Sequence, residues 1–179
     1  MINAANYYFF NLLSAQSNDM IFEFKKDSDL GQWQVVDDVV MGGRSNGTLE
    51  LNENGNGVFK GDVSIENNGG FSSIQLRLKA KKTDEKAAIS LRLKGDGSDF
   101  QFRIKASTRD RHSYIYNFKT SGDWENISIP LSDMSPSFRG YSLQIPNFNH
   151  DKIEQIGVLK SSKENNTFKL EIKHIYLVN

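Results

Sequence analysis

Residues 74–80 read IQLRLKA, and the strict alternation of apolar and polar side chains in this stretch decides the fold class. The same alternation recurs in ISLRLK at residues 89–94 and in FQFRI at residues 100–104. A period of two places successive side chains on opposite faces of an extended strand, so each stretch has one apolar and one polar face. These stretches are predicted to be half-buried antiparallel strands of the kind that build a β-sandwich.

About ten such strands follow one another from residue 20 onward, and helical periodicity is nearly absent. Turn-forming stretches separate them, and one of these, GDG at residues 95–97, is interpreted as a hairpin turn. Residues 132–150, with Pro136 and Pro146, are interpreted as a long structured crossover. Such a crossover favours Greek-key connectivity, so the prediction is an all-β jelly-roll β-sandwich, with a meander barrel as the alternative.

Charge and composition exclude several classes of function. The chain has 22 basic and 22 acidic residues, so no overall field steers it to nucleic acid or to an anionic membrane. It has no cysteine, which excludes disulfides, thiolate catalysis and cysteine-ligated zinc. Its length fits one domain.

The N-terminal segment is the candidate targeting signal. Residues 7–15, YYFFNLLSA, are apolar, but no lysine or arginine precedes Lys25, and Asn11 interrupts the apolar run. Secretory signals and transit peptides carry basic residues, so we expect a cytoplasmic location, with secretion or a periplasmic location as the alternative. No stretch approaches the length of a membrane-spanning helix, and direct membrane insertion is not expected. Residues 1–19 are interpreted as a partly helical or frayed segment, and residues 20–179 as a single jelly-roll domain.

Two glycine-rich segments need unusual backbone angles beside predicted strands. They are WQVVDDVVMGGRSNG at residues 33–47 and FKGDVSIENNGGFSSI at residues 59–74. Glycine adopts positive φ without a steric clash, and the pair Asn67 and Asn68 tolerates the left-handed region best after glycine. At least two glycines of a set of four are predicted to have positive φ. The set is Gly42, Gly43, Gly69 and Gly70.

Patterns for catalysis and metal binding are weak. His112, His150 and His174 are far apart and share no ligand spacing, which argues against a serine triad or a histidine metal site. Asp37 and Asp38 form a carboxylate pair that could hold a proton or a hard cation. The favoured interpretation is that one of them caps a turn by accepting backbone N–H bonds. The prediction is a non-enzymatic protein without a cofactor, with one structural calcium ion as the exception that these carboxylates allow.

Arginines on three consecutive predicted strands suggest a binding face. Arg77, Arg92 and Arg103 occupy polar positions of the alternating stretches, so they are predicted to point outward from one sheet face. Guanidinium groups suit an acidic or hydrogen-bonding partner, although a solvated face gives the same pattern.

Several aromatic side chains could instead stack on pyranose rings, although in a sandwich such side chains more often fill the core. They are Trp33, Trp124, Tyr114, Tyr116, Phe138 and Tyr141.

Five motifs resemble one known family. The two glycine-rich segments, LRLKGDGSDFQFRI at residues 91–104, WENISIPLSDMSPSFRG at residues 124–140 and IEQIGVLKSSKENNTFKLEI at residues 153–172 together resemble the complex I intermediate-associated protein 30 family. The resemblance implies a galactose-binding-domain-like jelly-roll sandwich. It also implies a role as an assembly factor of the NADH:ubiquinone oxidoreductase, which is the role of the mitochondrial members. It brings no catalytic residues, and the lack of a transit peptide suggests a bacterial member.

These features predict a protein-binding module of assembly-factor or chaperone-like character, with a carbohydrate-binding module as the alternative. The expected partner is a protein such as a membrane-complex assembly intermediate, not nucleic acid, and a glycan is the alternative ligand. The predicted binding surface combines the two glycine-rich turns, the turn at residues 138–140 and the three arginines. Its residues are Asp37, Asp38, Met41, Gly42, Gly43, Arg44, Ser45, Asn67, Asn68, Gly69, Gly70, Phe71, Arg77, Arg92, Arg103, Phe138 and Arg139.

Overall fold

Thirteen strands form two antiparallel sheets in the computed structural model, which describes residues 18–179. The strands are β1 (Asn18–Glu23), β2 (Trp33–Asp37), β3 (Asn46–Leu51), β4 (Gly57–Val63), β5 (Phe71–Lys82), β6 (Ala88–Lys94), β7 (Asp99–Lys105), β8 (Ser113–Lys119), β9 (Trp124–Pro130), β10 (Ser135–Phe138), β11 (Tyr141–Ser142), β12 (Lys152–Ser161) and β13 (Asn166–Val178). Short 3₁₀ turns lie at Leu30–Gln32, Asp38–Met41, Glu66–Asn68 and Leu131–Asp133. Within residues 18–179, no helical segment has the length and apolar character needed to cross a bilayer.

The all-β sandwich predicted from the alternation is confirmed. One sheet has six strands, in the order β3-β4-β13-β6-β9, and β1 also pairs with β13. The other sheet has seven strands, in the order β11-β10-β8-β7-β12-β5-β2. The last two strands, β12 and β13, lie inside their sheets between strands formed much earlier in the chain, so the connections cross over as a jelly roll requires. Of the predicted N-terminal segment, residues 1–17 lie outside the described residues, and β1 begins at Asn18.

The apolar faces of the two sheets meet in one core. Ile74 and Phe102 of the seven-stranded sheet are fully buried against Leu91 and the other inward side chains of the six-stranded sheet. Phe100 of β7 and Phe168 of β13 form an edge contact between the sheets, with ring centroids 6.3 Å apart. Each large apolar side chain buried in this way stabilises the fold by about 1.5–3 kcal/mol.

Three strands and one connection differ from the prediction. The strands β2, β10 and β11 were not predicted, and residues 132–150 contain the last two of them instead of a strand-free crossover. These strands are short and lie at or next to a sheet edge, where few side chains are buried and the alternation is weak. The interpretation of residues 95–97 as a hairpin turn was wrong, because β6 belongs to the six-stranded sheet and β7 to the seven-stranded sheet.

Candidate functional site

Asp38 joins the two glycine-rich segments into one unit. Its fully buried carboxylate accepts hydrogen bonds from the backbone N–H groups of Ser45 (3.0 Å), Gly70 (2.6 Å) and Phe71 (3.2 Å), and from the Ser45 hydroxyl. The Ser45 hydroxyl oxygen also accepts from the N–H of Ser64 at 3.0 Å. The prediction that one carboxylate of the pair caps a turn is therefore confirmed for Asp38. We call residues 38–45 and 64–71 the turn cluster.

The hydrogen bonds to Asp38 also determine its charge. Burial of the carboxylate favours the protonated form, but the bonds from Ser45, Gly70 and Phe71 outweigh burial and hold the pKa of Asp38 below its ordinary value. Asp38 is therefore ionised at neutral pH, and its negative charge is neutralised by backbone dipoles.

Positive φ angles occur where the sequence predicted them. Gly42 has a φ of +90° and Gly70 a φ of +131°, so the prediction of at least two such glycines is confirmed. Asn67 and Asn68 also adopt left-handed backbone, with φ angles of 55° and 60°. A side chain at either glycine would therefore be strained.

The other two glycines of the set are needed for a different reason. Neither Gly43 nor Gly69 has a φ in the left-handed region. A Cβ atom at Gly43 would overlap the carboxylate of Asp38, and one at Gly69 would lie 2.6 Å from its Oδ2. Glycine at both positions lets the backbone approach the buried carboxylate.

The outer surface of the turn cluster is apolar and charged. The side chain of Val39 is 59% exposed and that of Ile65 is 46% exposed. Arg44 forms an ion pair with Glu66 at 2.8 Å, and the side-chain amide of Asn67 donates to the carbonyl oxygen of Gly42 at 3.0 Å. The side chain of Met41, which was also predicted to bind a partner, lies outside the described part of the structure.

Asp37 has a separate role from Asp38. Its Oδ2 accepts from the N–H of Gly47 at 3.1 Å, whereas its Oδ1 and the hydroxyl of Ser72 are buried without a partner among residues 18–179. Asp37 and Ser72 are opposite one another in the pairing of β2 with β5. Across the same residues, no three His, Cys, Asp or Glu side chains are arranged to hold a metal ion. The structural calcium ion stays a prediction.

The turn at residues 138–140 does not lie with the turn cluster, so the prediction that both belong to one continuous surface was wrong. It joins β10 to β11, with Arg139 and Gly140 at φ angles of 50° and 82°. β11 and β2 are at opposite edges of the seven-stranded sheet, roughly 25–30 Å apart at the usual strand spacing. The pairing of Ser137 with Ser113 also places this turn beside the start of β8. Phe71 of the turn cluster lies at the opposite end of the strands of this sheet. Phe138 instead contacts the guanidinium groups of Arg111 and Arg139.

The three arginines do not share a sheet face, and this prediction was also wrong. Arg77 on β5 and Arg103 on β7 lie in the seven-stranded sheet, whereas Arg92 on β6 lies in the six-stranded sheet. Arg92 stacks over Trp124 at 5.7 Å from the ring centroid. The chain crosses between the sheets both before and after β6, which the alternation of side chains does not reveal.

Aromatic side chains are divided between the core and the surface. Trp33 and Tyr114 are buried, with 7% and 4% of their surface exposed, so they offer no stacking face to a sugar. Tyr141 is 77% exposed, and Trp124 is half-buried.

Two polar contacts were not predicted from the sequence. The hydroxyl of Tyr114 lies 2.8 Å from Nε2 of His150, a contact that no local signal announces because these residues are distant in sequence. Lys160 is 3% exposed, donates to the carbonyl oxygen of Asp99 at 3.0 Å, and has a pKa lowered by burial. Its inward position continues the alternation of Ile156 and Val158, which was the available signal.

Comparison with protein families gives a match to one family over most of the chain. The model of the family described as "Complex I intermediate-associated protein 30 (CIA30)" matches residues 22–172. The mouse protein named "Complex I intermediate-associated protein 30, mitochondrial" is 27% identical over 179 residues, covering 87% of this chain and 55% of the mouse protein. The Drosophila melanogaster protein of the same name is 24% identical over 144 residues, covering 68% of this chain and 49% of that protein. The chain spans about half the length of these relatives.

Among solved structures, carbohydrate-binding modules share the fold. A family 11 carbohydrate-binding module from Clostridium thermocellum, in complex with a β-1,3-1,4-mixed-linked tetrasaccharide, has a TM-score of 0.66 at 17% identity, covering 89% of this chain and 94% of that one. The agarase AgWH50C has a TM-score of 0.60 at 12% identity, covering 90% of this chain and 24% of the agarase. These similarities establish the jelly-roll fold.

Proposed function

Since the chain belongs to the Complex I intermediate-associated protein 30 family, we propose that it is a non-enzymatic protein-binding module of assembly-factor or chaperone-like character. Its partner is an assembly intermediate of a membrane complex, as the family name of the mouse and Drosophila relatives suggests. The turn cluster is the contact surface.

The observation that carries this proposal is the exposure of two apolar side chains on a rigid support. Val39 and Ile65 project from the two loops of the turn cluster, and the hydrogen bonds to Asp38 fix these loops relative to each other. Exposed apolar side chains on a preorganised surface favour protein association, because little conformational entropy is lost when they are buried. The Arg44–Glu66 ion pair beside them supplies a polar rim.

The environment of Asp38 supports a binding role over catalysis. A catalytic carboxylate needs an oxygen within reach of a substrate, whereas both oxygens of Asp38 accept hydrogen bonds from the protein itself. Its lowered pKa also opposes a role as a general acid at neutral pH.

Affinity capture with the tagged protein from membrane extracts of its native host tests this function. Mass spectrometry should detect subunits of the NADH:ubiquinone oxidoreductase, and the double variant Val39→Ser/Ile65→Ser should reduce their recovery about tenfold or more. Ile145→Ser is the matched control, because Ile145 is 45% exposed and lies near the opposite edge of the sandwich. If the double variant recovers the same subunits as the wild type, the turn cluster is not the contact surface. If the wild type recovers none, the family role does not extend to this chain.

Carbohydrate binding is the second candidate. The structure of the family 11 module was solved in complex with a mixed-linked tetrasaccharide, and Tyr141 is an exposed aromatic side chain on which a sugar ring could stack. Electrophoresis in gels that contain β-1,3-1,4-glucan measures this directly. A retardation that Tyr141→Ser abolishes would favour the carbohydrate-binding function, and equal mobility with and without glucan would oppose it.

A further inference from the structure

Nine outward positions at the centre of the seven-stranded sheet carry three cations and no acid. β12 lies between β5 and β7, and the register aligns its alternate residues with both neighbours. Ile156 and Val158 of β12 belong to the core between the two sheets, so the residues that alternate with them face away from that core. Ser73 and Leu159 are nevertheless buried on this face, with 3% and 8% of their surface exposed. The three rows are Arg77–Gln155–Lys105, Gln75–Gly157–Arg103 and Ser73–Leu159–Gln101. We call these nine residues the central patch.

Arg103 is a half-buried charge of the central patch that lacks a counter-charge. No residue between 18 and 179 forms an ion pair with it. Burial lowers the pKa of Arg103, and no neighbouring carboxylate raises it. Residues 1–17 contain no aspartate or glutamate, so they cannot supply a side-chain carboxylate. Removing a guanidinium from water without a partner is unfavourable, and a bound anion would relieve that cost.

Gln155, Gln75 and Lys105 of the central patch already have hydrogen-bond partners. Gln155 donates to Oε1 of Gln75 at 3.1 Å. Lys105 donates to the carbonyl oxygen of Asp110 at 2.6 Å. Burial lowers the pKa of Lys105, with Asp110 raising it and Arg103 lowering it further. Arg103 therefore repels Lys105, and no carboxylate among residues 18–179 attracts Arg103 strongly enough to offset that repulsion.

Gly157 is the neighbour of Arg103 in the middle row. It lies directly between Gln75 and Arg103. It has no side chain of its own, and it is buried, with Cγ of Gln75 3.5 Å from the position that a Cβ would take. Two strand spacings separate Gln75 from Arg103, which is about 10 Å. A guanidinium at such a position binds a carboxylate with two parallel hydrogen bonds.

We propose that the central patch binds an acidic peptide segment of a partner protein, with a carboxylate of the segment paired to Arg103. Charge complementarity favours this occupant, because the patch has three cations and no acid. None of the nine residues is aromatic, so the patch has no ring on which a pyranose could stack. This site does not depend on the turn cluster, and either can fail without the other.

Fluorescence polarisation with a labelled oligo-glutamate peptide tests the proposal, with an oligo-glutamine peptide as the uncharged comparison. The wild-type chain should bind oligo-glutamate more tightly than oligo-glutamine, and added salt should weaken the binding. Arg103→Gln should lower the affinity about 10- to 100-fold, which is the range for the loss of a hydrogen bond to a charged group. The affinity of Arg103→Lys should lie between those of the wild type and Arg103→Gln, because lysine keeps the charge and loses the bidentate geometry.

Arg92→Gln is the matched control, since Arg92 lies on the other sheet. The affinity of this variant for oligo-glutamate should equal that of the wild type. The melting temperature of Arg103→Gln should not fall below that of the wild type, because an unpaired desolvated charge is removed. In a nuclear magnetic resonance titration, oligo-glutamate should shift the amide signal of Gly157. The proposal would be overturned if the wild type bound the two peptides with equal affinity, or if Arg103→Gln and Arg92→Gln lost the same affinity for oligo-glutamate. Signal shifts only in the turn cluster would also overturn it. Binding of oligo-galacturonate in place of oligo-glutamate would also overturn it and would assign the patch to an acidic glycan.

Discussion

At the scale of single residues, Asp38 has the most consequences for the structure. One buried carboxylate accepts hydrogen bonds from two loops that are distant in sequence, and the glycines that surround it leave it room. The shape of the proposed contact surface therefore depends on a residue that does not itself reach the surface.

Asp38→Asn is predicted to lower the free energy of unfolding by about 2–4 kcal/mol at neutral pH. Asparagine removes the charge, and its NH₂ group faces N–H groups that donate hydrogen bonds to the carboxylate in the wild type. The lowered pKa of Asp38 means that the carboxylate stabilises the fold above its ordinary value of 3.8 and loses this effect as the pH falls through the lower, folded-state pKa. Urea unfolding of both proteins between about pH 7 and pH 3 should show the difference shrinking below about pH 4. A difference that stays constant over this range would contradict the role of the charge.

Alanine at Gly43 and at Gly97 should destabilise the protein for different reasons. Gly97 has a φ of +88° and open space around it, so Gly97→Ala adds only backbone strain, about 1–2 kcal/mol. Gly43→Ala should cost more, about 2–4 kcal/mol, because its Cβ displaces the Asp38 carboxylate. In the background of Asp38→Ala, the effect of Gly43→Ala should become small while that of Gly97→Ala is unchanged. Thermal or chemical unfolding of the single and double variants measures this coupling, and additive effects at Gly43 and Asp38 would refute it.

At the scale of the strands, β12 is a central strand of the seven-stranded sheet and β13 is a central strand of the six-stranded sheet. β12 pairs with β5 and β7, and β13 pairs with β6 on one side and with β4 and β1 on the other. Both strands come last in the chain, so each sheet is completed only when the C-terminal residues are in place. The crossings from β5 to β6 and from β6 to β7 distribute neighbouring strands between the sheets, which is why Arg92 and Arg103 face opposite sides of the sandwich.

Hydrogen exchange should rank the strands accordingly. Amides in the middle of β12 and β13, such as those of Ile156 and Ile172, are predicted to exchange most slowly, because both strands are paired on two sides and packed on the core. Amides of β11, a strand of two residues at the sheet edge, should exchange fastest among the strands. Exchange measured by nuclear magnetic resonance tests the order. Protection in β11 equal to that in β12 would show that the edge is held by contacts other than strand pairing.

At the scale of the whole molecule, the two sheets share a single core and are expected to unfold together. Each sheet has one face that packs against the other, as the buried side chains of both sheets indicate, so neither can keep its core when the other is lost. Among residues 18–179, eight of the eleven strand pairings join strands that are not consecutive in the chain, which predicts slow folding in the range of milliseconds to seconds.

Two single-tryptophan variants can test this cooperativity. Trp124→Phe leaves Trp33 of β2 as a reporter of the seven-stranded sheet, and Trp33→Phe leaves Trp124 of β9 as a reporter of the six-stranded sheet. In each variant, urea unfolding followed by tryptophan fluorescence and by far-ultraviolet circular dichroism should give the same midpoint. Two distinct midpoints within one variant would mean that a sheet persists alone. Comparison within a variant is required because Trp33 is buried and its replacement changes stability.

The amino-acid sequence by itself determined the class of the fold, the inward and outward positions of the long strands, and the glycine turns. Each of these is a local property: alternation assigns Ile74 to the core and Gln75 to the opposite face, and glycine permits the left-handed φ of Gly42. Tertiary structure alone decided which sheet each strand joins and which loops meet. Strand pairing and the crossover connections depend on packing between residues distant in sequence, and a period of two is the same whichever sheet a strand enters. For that reason the sequence indicates that Asp37 or Asp38 caps a turn but not that Asp38 links to Gly70. It likewise indicates that Arg103 faces outward but not that its charge is unpaired.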